Sequence, residues 1–470
     1  MSKSSATHTT RAFSQKPPAG LLSRAKAALC AAVLASLGLS SPGTASASDA
    51  LILPMRDRAA LIDQWMDERI QTVLPGLMRR SGIDLWVIIS REYNEDPVLK
   101  TFLPSTWQSA RRRTMLLIHD RGEGQPLETL AIARYDVGSA FKKAWDKEKH
   151  GDQWTRLAAL ISERDPKRIG VNRSETFALA DGITHTEYAL LEAALPEKLR
   201  PRITSAEELA VGWLETRTES EMIVYQQVCR IAHDILQQGL SDEVIQPGVT
   251  TTHDVSWWYR DRIRELGLTA WFHPSVSIQR AVSPALDMKS DVLSMHNNDV
   301  IRPGDLVHVD FGITYLRLNT DTQQNAYVLR PGETEAPAAL KKALARGNRL
   351  QDILTGNFAV GRSGNEILAA TLKQAKREGI GASIYTHPIG YHGHAAGPTI
   401  GLWDQRDGVP GRGDYPMYPN TAYSIELYAE SPMPEWGKTV RMKLEEDAFF
   451  DGKTTRYIDG RQTELLLIPR

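Results

Sequence analysis

The chain has 470 residues, of which 41% are hydrophobic and 24% are charged, and its formal net charge is -1. This length is long for one compact core, so we expect two domains. A near-neutral chain gives no support for binding to nucleic acids or to anionic membranes, and we expect neither as a partner.

The first fifty residues predict an exported protein. Residues 1–26 carry five basic residues and no acidic one, and the apolar run AALCAAVLASLGL follows at 27–39. This run is too short to span a membrane comfortably, and the small residues after it include the cleavage pattern Ala45-Ser46-Ala47. We therefore expect residues 1–47 to be a signal peptide, cleaved near Ala47, and the mature form to be periplasmic or secreted, without a membrane segment. A mitochondrial transit peptide is the alternative.

After this cleavage Cys229 is the single cysteine of the chain, so no intramolecular disulfide is possible. Cys229 lies in the amphipathic helical pattern ESEMIVYQQVCRIAHDIL. This context favours a buried structural thiol, although a lone cysteine is also compatible with a nucleophile.

The first half of the mature chain alternates helical and strand patterns. A helix is predicted over 56–80 and another over 188–195, and strands are predicted over 84–90, 114–120, 129–135 and 168–172. This alternation predicts an α/β domain over 48–214. The domain lacks a glycine-rich phosphate loop, an HExxH motif and a metal-spaced His/Cys cluster, so we expect it to contribute shape, specificity or oligomerisation.

The polar segment ETRTESE (215–221) predicts the domain boundary. A second domain would cover 215–470, with helices at about 218–240, 252–266, 335–350 and 364–378.

Within it, LVHVDFGITYLRLNTDTQQNAYVL (306–329) predicts two strands joined by a short turn, with Asp310 and Asp321 eleven residues apart. We expect the two aspartates to lie opposite each other on one face, where they would repel unless a cation lay between them. Two solvated carboxylates are the alternative, but apolar residues alternate with Asp310, as in a half-buried strand.

Further candidate ligands follow toward the C-terminus. The segment THPIGYHGHAAG (386–397) holds three histidines. Glu426 lies within the apolar run TAYSIELYAE, and Glu445 and Glu446 lie within VRMKLEEDAFF, where a charge is costly unless it is paired. Two aspartates, one imidazole and two glutamates could hold two divalent cations, and this mixed oxygen and nitrogen donor set suits Mn, Co, Zn or Fe.

The order of these residues resembles metallopeptidase family M24, which includes methionine aminopeptidase, prolidase and aminopeptidase P. The resemblance covers about 215–470, and the region before it is similar to the creatinase-type domain of the prolidase branch. It implies an N-terminal α/β creatinase-like domain followed by a C-terminal pita-bread α+β domain. It also implies a homodimer.

Five metal ligands are implied by the resemblance: Asp310, Asp321, His387, Glu426 and Glu445. In the family the last ligand starts an acidic pair that is followed by about three apolar residues. Glu445 fits this description better than Glu446, so we choose Glu445. The implied cofactor is two divalent ions, with manganese preferred over Co, Zn or Fe.

Three further residues take substrate-contacting positions in the resemblance. His394, seven residues after His387, and His296, before the hairpin, would contact the substrate or its tetrahedral intermediate. Lys443 would occupy a substrate-binding position where prolidase-like enzymes often carry Arg. Glu426 would also serve as general base and then general acid.

The implied function is exopeptidase cleavage of short peptides at Xaa-Pro bonds by a metal-bridged hydroxide. One alternative is a metal-dependent hydrolase or lyase of the same fold that acts on a small non-peptide substrate. Another is a non-catalytic peptide-binding protein, which retention of all five ligand types argues against. Ser383 stands where Xaa-Pro enzymes usually carry a further His, and His392 and the segment 403–419 are particular to this chain.

Overall fold

The computed structural model describes residues 52–281 and 299–469. The predicted signal peptide and His296 lie outside these ranges. Leu51–Arg470 form one compact unit, so the domain boundary near 215 stays a prediction. In the part of the chain that the structure describes, no helix has both the length and the apolar character to cross a membrane.

The α-helices of the described ranges are α1 Met55–Thr72, α2 Leu74–Ser81, α3 Pro97–Phe102, α4 Lys147–His150, α5 Gln153–Arg164, α6 His185–Ala194, α7 Glu207–Glu215, α8 Glu219–Gly239, α9 Thr252–Glu265, α10 Ala338–Thr355 and α11 Gly364–Arg377. Short 3-10 turns lie at Ala178–Ala180, Arg200–Arg202 and Pro434–Trp436.

The strands are β1 Leu85–Arg91, β2 Arg113–His119, β3 Glu128–Ala131, β4 Lys142–Lys143, β5 Ile169–Val171, β6 Ile203–Ser205, β7 Ser275–Gln279, β8 Leu306–Phe311, β9 Thr314–Tyr315, β10 Leu318–Asn319, β11 Thr322–Val328, β12 Gly381–Ile384, β13 His387–Pro388, β14 Thr421–Ser424, β15 Leu427–Met433, β16 Lys438–Leu444, β17 Asp447–Phe450, β18 Thr455–Tyr457 and β19 Leu466–Ile468.

The N-terminal half is built on one mixed sheet in the order β4-β3-β2-β1-β5-β6. Its central strand β1 is buried along most of its length and pairs antiparallel with β2 and parallel with β5. The single helix predicted over 56–80 is instead two helices, because the chain breaks at Val73 and Pro75 lies in the first turn of α2, which begins at Leu74. A proline lacks the backbone N–H that a continuous helix needs, and it is tolerated in a first turn.

The segment 215–221, predicted as the domain boundary, is fixed by a helix cap and a β-bridge. Helix α7 ends at Glu215, and α8 begins after Thr218, whose side chain forms a reciprocal capping box with Glu221. Between them, Thr216 forms a β-bridge with Thr421 at the start of β14. The connection therefore ties the N-terminal half to the strands of the C-terminal half.

The C-terminal half contains three larger sheets, in the orders β19-β11-β8-β7, β12-β15-β16 and β13-β14-β17-β18. The run 421–430, predicted as one strand, is split between β14 and β15, and Glu426 lies in the gap between them. The run 440–450 is likewise split between β16 and β17, with the gap at Glu445 and Glu446. At both gaps the chain crosses from one sheet to the next, and these crossings place two glutamates side by side.

Helix α10 packs against β15 and β16 and closes this region from one side. A Cβ atom added at Gly347 would lie 2.6 Å from Leu444 Cδ1, so a glycine permits the close approach of α10 to β16. Leu444 directly precedes Glu445, and the contact therefore fixes the strand end that carries this glutamate.

Candidate metal centre

The hairpin that carries the two aspartates is β8–β11, extended by the short pair β9–β10. Its turn is Leu316-Arg317, both residues in the left-handed region. In this register Asp310 pairs with Gln323. The prediction that the two aspartates lie directly opposite each other is therefore wrong. Asp321 lies two residues before Gln323, on the same face of the strand, so the two aspartates are diagonal neighbours.

The structure brings the five predicted ligands and His394 together. In each of three groups, one ligand atom from each residue lies within 4.8 Å of the others: Asp321–His387–His394, His387–Glu426–Glu445 and Asp310–Asp321–Glu445. Asp321 and Glu445 are almost completely buried. The alternative of two solvated carboxylates on an exposed hairpin is thus wrong.

Several atoms of this cluster lack hydrogen-bond partners although they are buried. They are Asp310 Oδ1, Asp321 Oδ1 and His387 Nε2. Buried polar atoms are nearly always paired in folded proteins, so three unpaired atoms on residues of one cluster indicate a missing ligand. Oxygen and imidazole nitrogen donors in this number suit divalent transition-metal ions. The residues present therefore fit a metal centre.

The orientation of His387 is fixed from its other ring nitrogen. Its Nδ1 donates to the carbonyl oxygen of Pro388 at 3.0 Å. Its Nε2 then points toward the carboxylates, 3.6 Å from Asp321 Oδ2 and 3.6 Å from Glu445 Oε1. A histidine that donates one N–H to a carbonyl and presents the other nitrogen is the usual arrangement of a metal ligand.

The electrostatics of the cluster require positive charge. Burial, followed by the charge of Glu445, raises the pKa of Asp310, Asp321 and Glu426 well above the ordinary range of carboxyl groups. Burial alone would lower the pKa of His387, but its close contact with the Glu445 carboxylate at 3.6 Å outweighs burial and raises that pKa to about 9. Four acidic groups this close can all be ionised only beside cations.

The side chains of Glu445 and Glu446 have different partners. Glu445 lies in the cluster, where Ser424 Oγ donates to its Oε1 at 2.6 Å. Glu446 instead contacts His233 Nε2 at 2.7 Å, behind the cluster. Of the two residues considered from the sequence, the structure therefore brings Glu445 to the other ligands.

Gln323 is a cluster residue that the sequence analysis missed. Its side-chain nitrogen donates to Glu426 Oε1 at 2.5 Å and to Glu445 Oε2 at 2.7 Å. The signal was available, because a residue two positions after Asp321 in a strand lies on the same face as Asp321. Gln323 was not selected because it is uncharged and lies in a run of other polar residues.

The predicted substrate-contacting residues lie at the edge of the cluster. His394 is exposed, and its ring lies 4.7 Å from the ring of His387 and 5.3 Å from that of Trp271. Burial by its surroundings and the charge of His387 lower the pKa of His394 to about 4. Lys443 is half-buried. Burial lowers the pKa of its ammonium group, and the negative charges of Asp310 and Glu426 offset this effect only in part. His296 is outside the described residues.

Three other residues singled out from the sequence lie apart from the ligand groups. Ser383 is buried on β12, and its Oγ has no hydrogen-bond partner. His392 lines a separate pocket of about 410 Å³, with Lys100 and Arg317 among its other lining residues. Cys229 is buried on α8, its Sγ 3.5 Å from Asp447 Oδ2, and burial raises its thiol pKa, as expected for a structural residue.

Comparison with known proteins agrees with this fold. Residues 224–447 match the model of metallopeptidase family M24. The X-Pro aminopeptidase of Thermotoga maritima MSB8 is 17% identical, with a TM-score of 0.58 over 83% of this chain and 99% of that one. The Xaa-Pro dipeptidase of Bacillus anthracis is 19% identical, with a TM-score of 0.55 over 88% of this chain and 100% of that one. A comparison with curated proteins gives no match.

The mixed α/β fold and the cluster of acidic and imidazole ligands define a metal-dependent hydrolase of the pita-bread class. Residues 224–447 match metallopeptidase family M24, and together with the fold this match identifies a metallopeptidase. The predicted family and fold class are thereby confirmed. The individual site residues stay predictions, although the structure assembles all those that it describes.

Proposed function

We propose that the protein is an exported di-metal exopeptidase that removes N-terminal residues from short peptides, with a preference for the bond before proline. The observation that carries this proposal is the buried cluster of acidic and imidazole groups in which Asp310 Oδ1, Asp321 Oδ1 and His387 Nε2 lack hydrogen-bond partners. The preference for Xaa-Pro bonds is supported by the names of the structural neighbours, a likeness at the level of the fold.

In this proposal Asp310, Asp321, His387, Glu426 and Glu445 hold two divalent cations, with manganese preferred. Bound there, the cations would act as Lewis acids that polarise the scissile carbonyl and lower the pKa of water. The carboxylates and the imidazole place this positive charge at the base of the site.

The protein side chains at the edge then move protons and bind charge. Glu426 lies at the gap between β14 and β15, half-buried, with a raised carboxyl pKa. A carboxylate in this position can accept a proton from water and deliver it to the leaving amine. His394, on the exposed side, is placed to donate a hydrogen bond to the negative charge that develops on the carbonyl oxygen. Lys443 offers a cation for a negatively charged part of the substrate.

A second candidate function is hydrolysis or lysis of a small non-peptide substrate on the same metal centre. Ser383 favours this function, because Xaa-Pro enzymes usually carry a histidine at this position. Ser383 is buried and cannot supply an imidazole to a substrate. The two functions share the metal ligands and differ in the substrate pocket.

The test is an activity assay on the mature chain, stripped of metal and reloaded with Mn, Co or Zn. Xaa-Pro dipeptides, longer Xaa-Pro peptides and Met-initiated peptides would be offered in parallel. Metal-dependent release of the residue before proline is the expected result, and the preferred length would separate a dipeptidase from an aminopeptidase. Binding of about two ions without cleavage would favour the non-peptide function, and absence of metal binding would contradict both.

Export and dimerisation are part of the same proposal. The basic N-terminus and the apolar run at 27–39 support export, and the family resemblance supports a homodimer. Mass spectrometry of the native protein should find an N-terminus near Ser48. Light scattering should give twice the mass of the mature chain. An N-terminus at Met1 or a monomeric mass would contradict the corresponding part.

A further inference from the structure

The pocket beside His392 lies between the N-terminal half and the β9–β10 turn. Its volume is about 410 Å³, which is within the range of small-molecule sites. Its walls come from the segment 97–108, from residues around the turn and from the loop 386–397 that carries His392. The lining includes two cations, Lys100 and Arg317, no acidic residue and none of the five predicted metal ligands. The pocket is therefore positively charged and separate from the metal cluster.

Arg317 is half-buried and has no acidic partner among the described residues. Its guanidinium has five N–H donors, of which two are used by the backbone oxygens of Thr101 and Leu103, at 3.3 and 3.0 Å. Burial lowers the pKa of Arg317. Asp63, whose charge opposes this effect, lies outside the lining and accepts from the Ser105 N–H at 2.7 Å. A partly desolvated guanidinium is costly without a carboxylate, so its remaining donors favour an anionic ligand.

The backbone that presents Arg317 is strained. Leu316 and Arg317 form the two-residue turn between β9 and β10, and their φ angles are 54° and 65°. A turn with two positive φ angles favours Asn-Gly, because a bulky side chain is disfavoured in the left-handed region. Such strain is concentrated where it positions a side chain for a ligand. The turn geometry therefore gives a second, independent reason to place a ligand beside Arg317.

Lys100 and His392 add polar groups to the pocket from two other segments. Lys100 lies in the last turn of α3, is exposed, and forms no ion pair with any acidic side chain that the structure describes. His392 Nδ1 is buried and lacks a hydrogen-bond partner in the described part of the chain. Burial, followed by the charges of Arg217 and Lys100, lowers the pKa of His392 to about 4, so the ring is neutral and its Nδ1 can donate one hydrogen bond. Trp107 and Leu103 supply an apolar wall.

We propose that this pocket is a second binding site, for a small organic anion whose carboxylate or phosphate group lies between Arg317 and Lys100 and whose apolar part lies against Trp107. Two cations and one unpaired imidazole nitrogen, from three separate segments, line the same pocket, and no acidic lining residue competes for them. The inference goes beyond the proposed peptidase function and does not depend on it, because the pocket shares no residue with the metal cluster.

The test measures ligand binding to the metal-stripped mature protein by titration calorimetry. The probes are N-acetylglycyl-leucine, its neutral C-terminal amide, and phenyl phosphate. Without metal the acidic cluster repels anions, so it does not compete for the two anionic probes. At least one anionic probe should bind with a dissociation constant of about 1 mM or below, and the amide should bind about 10-fold more weakly. The tighter anionic probe identifies the carboxylate or the phosphate as the preferred group.

Arg317→Gly removes the cation while glycine suits the turn, so circular dichroism should show a retained fold. Its affinity for the anionic probe should fall about 10-fold or more, and that of Lys100→Ala, at an exposed position, about 3-fold. Arg112→Gly is the matched control. Arg112 is exposed and has a φ of 51°, but it does not line the pocket. This variant loses the same charge at the same type of backbone position, and its affinity should equal that of the wild-type protein.

Absence of binding by both anionic probes would overturn the inference, and so would equal affinities for the peptide and its amide. Equal losses of affinity in Arg317→Gly and Arg112→Gly would also overturn it, because they would place the anion elsewhere. If Arg317→Gly does not fold, Lys100→Ala decides, and an unchanged affinity in that variant would overturn the inference. All these outcomes leave the proposed peptidase function intact, since the binding is measured without metal.

Discussion

Several buried side chains in the cluster have polar atoms without hydrogen-bond partners. Asp310 is the clearest case, since its Oδ1 is buried and unpaired, and burial with the charge of Glu445 raises its pKa well above the ordinary range. Such a residue is unfavourable in the folded chain without a counter-charge. A cation bound beside it, as in the proposed metal centre, would supply that counter-charge.

Asp310→Ala should therefore lose metal without losing the fold. The variant removes a ligand but leaves the apolar residues of β8 in place, so circular dichroism should remain that of the wild-type protein. Metal analysis after dialysis should find at least one ion fewer per chain, and activity should fall by about 100-fold or more, as expected when a metal-dependent step is lost. A variant that keeps its full metal content and activity would refute the assignment of Asp310.

At the scale of elements, His233 connects helix α8 to the strands behind the cluster. Its Nε2 lies 2.7 Å from Glu446 Oε2, and its Nδ1 lies 2.9 Å from Asp459 Oδ2. Burial by itself would lower the pKa of His233, but the two carboxylates outweigh it and raise the pKa to about 10. The imidazolium thus pairs two buried acids that would otherwise repel, and it supports the strand end next to Glu445.

His233→Gln should lower the free energy of unfolding by about 3 kcal/mol, because it leaves the buried Glu446 without its cation, whereas Asp459 keeps Arg230. The loss depends on pH. A folded-state pKa of about 10 lies above the ordinary value of about 6.5, so the stabilisation is complete below about pH 6.5 and fades as pH rises toward 10. Denaturant titrations should therefore find a larger difference between wild type and variant at pH 6 than at pH 9.

The exposed His253 on α9 is the control for this prediction, since its ring contacts only Trp257 among the described side-chain hydrogen bonds. His253→Gln should change the free energy of unfolding by less than about 0.5 kcal/mol at either pH. A difference for His233→Gln that grows with pH would contradict an imidazolium between the two acids.

At the scale of the whole molecule, a buried ion cluster joins the two halves of the chain. Arg69 of α1 lies 2.9 Å from Glu221 of α8, and both side chains are fully buried. Arg69 also donates to the backbone oxygens of Thr216 and Trp213. Tyr391, from the histidine-rich loop, donates to Glu221 at 2.6 Å. The N-terminal half, the connecting segment and the site loop therefore meet at one carboxylate.

Arg69→Met should lower the free energy of unfolding by about 3 kcal/mol, because it leaves Glu221 buried with fewer cationic partners. Equilibrium denaturation measures this loss. Arg79→Ala is the control, because the ion pair of Arg79 with Asp120 at 3.0 Å lies at the surface, where solvent screens it and its loss should have little effect. Equal effects of the two substitutions would show that the Arg69 cluster does not stabilise the assembly of the two halves.

Metal binding should also stabilise the whole chain. Ligands that bind only the folded state add about 2.7 kcal/mol at a free concentration 100 times the dissociation constant. The melting temperature of the stripped protein should therefore rise with added Mn²⁺, and it should rise less in Asp310→Ala. Equal increases in the two proteins would place the binding elsewhere.

The sequence by itself determined much of the secondary structure, because hydrophobic periodicity is a local property. Most predicted helices and strands appear within a few residues of their observed ends, including α8 and α9. The predicted elements differ from the observed ones where a proline or a crossing between sheets interrupts the periodic pattern. Pro75 divides the first helix, and the runs around Glu426 and Glu445 are each divided where the chain crosses between sheets.

The types and order of the ligand residues could likewise be read from the sequence, since charged groups inside apolar runs are costly and therefore informative. Only the tertiary structure decided how they meet. The hairpin register pairs Asp310 with Gln323, and the crossings bring Glu445 to Glu426 while turning Glu446 toward His233. These choices depend on pairing between separate segments, which in the case of His233 and Glu446 are 213 residues apart. No local pattern contains that information, because it arises from backbone hydrogen bonds and burial across the folded chain.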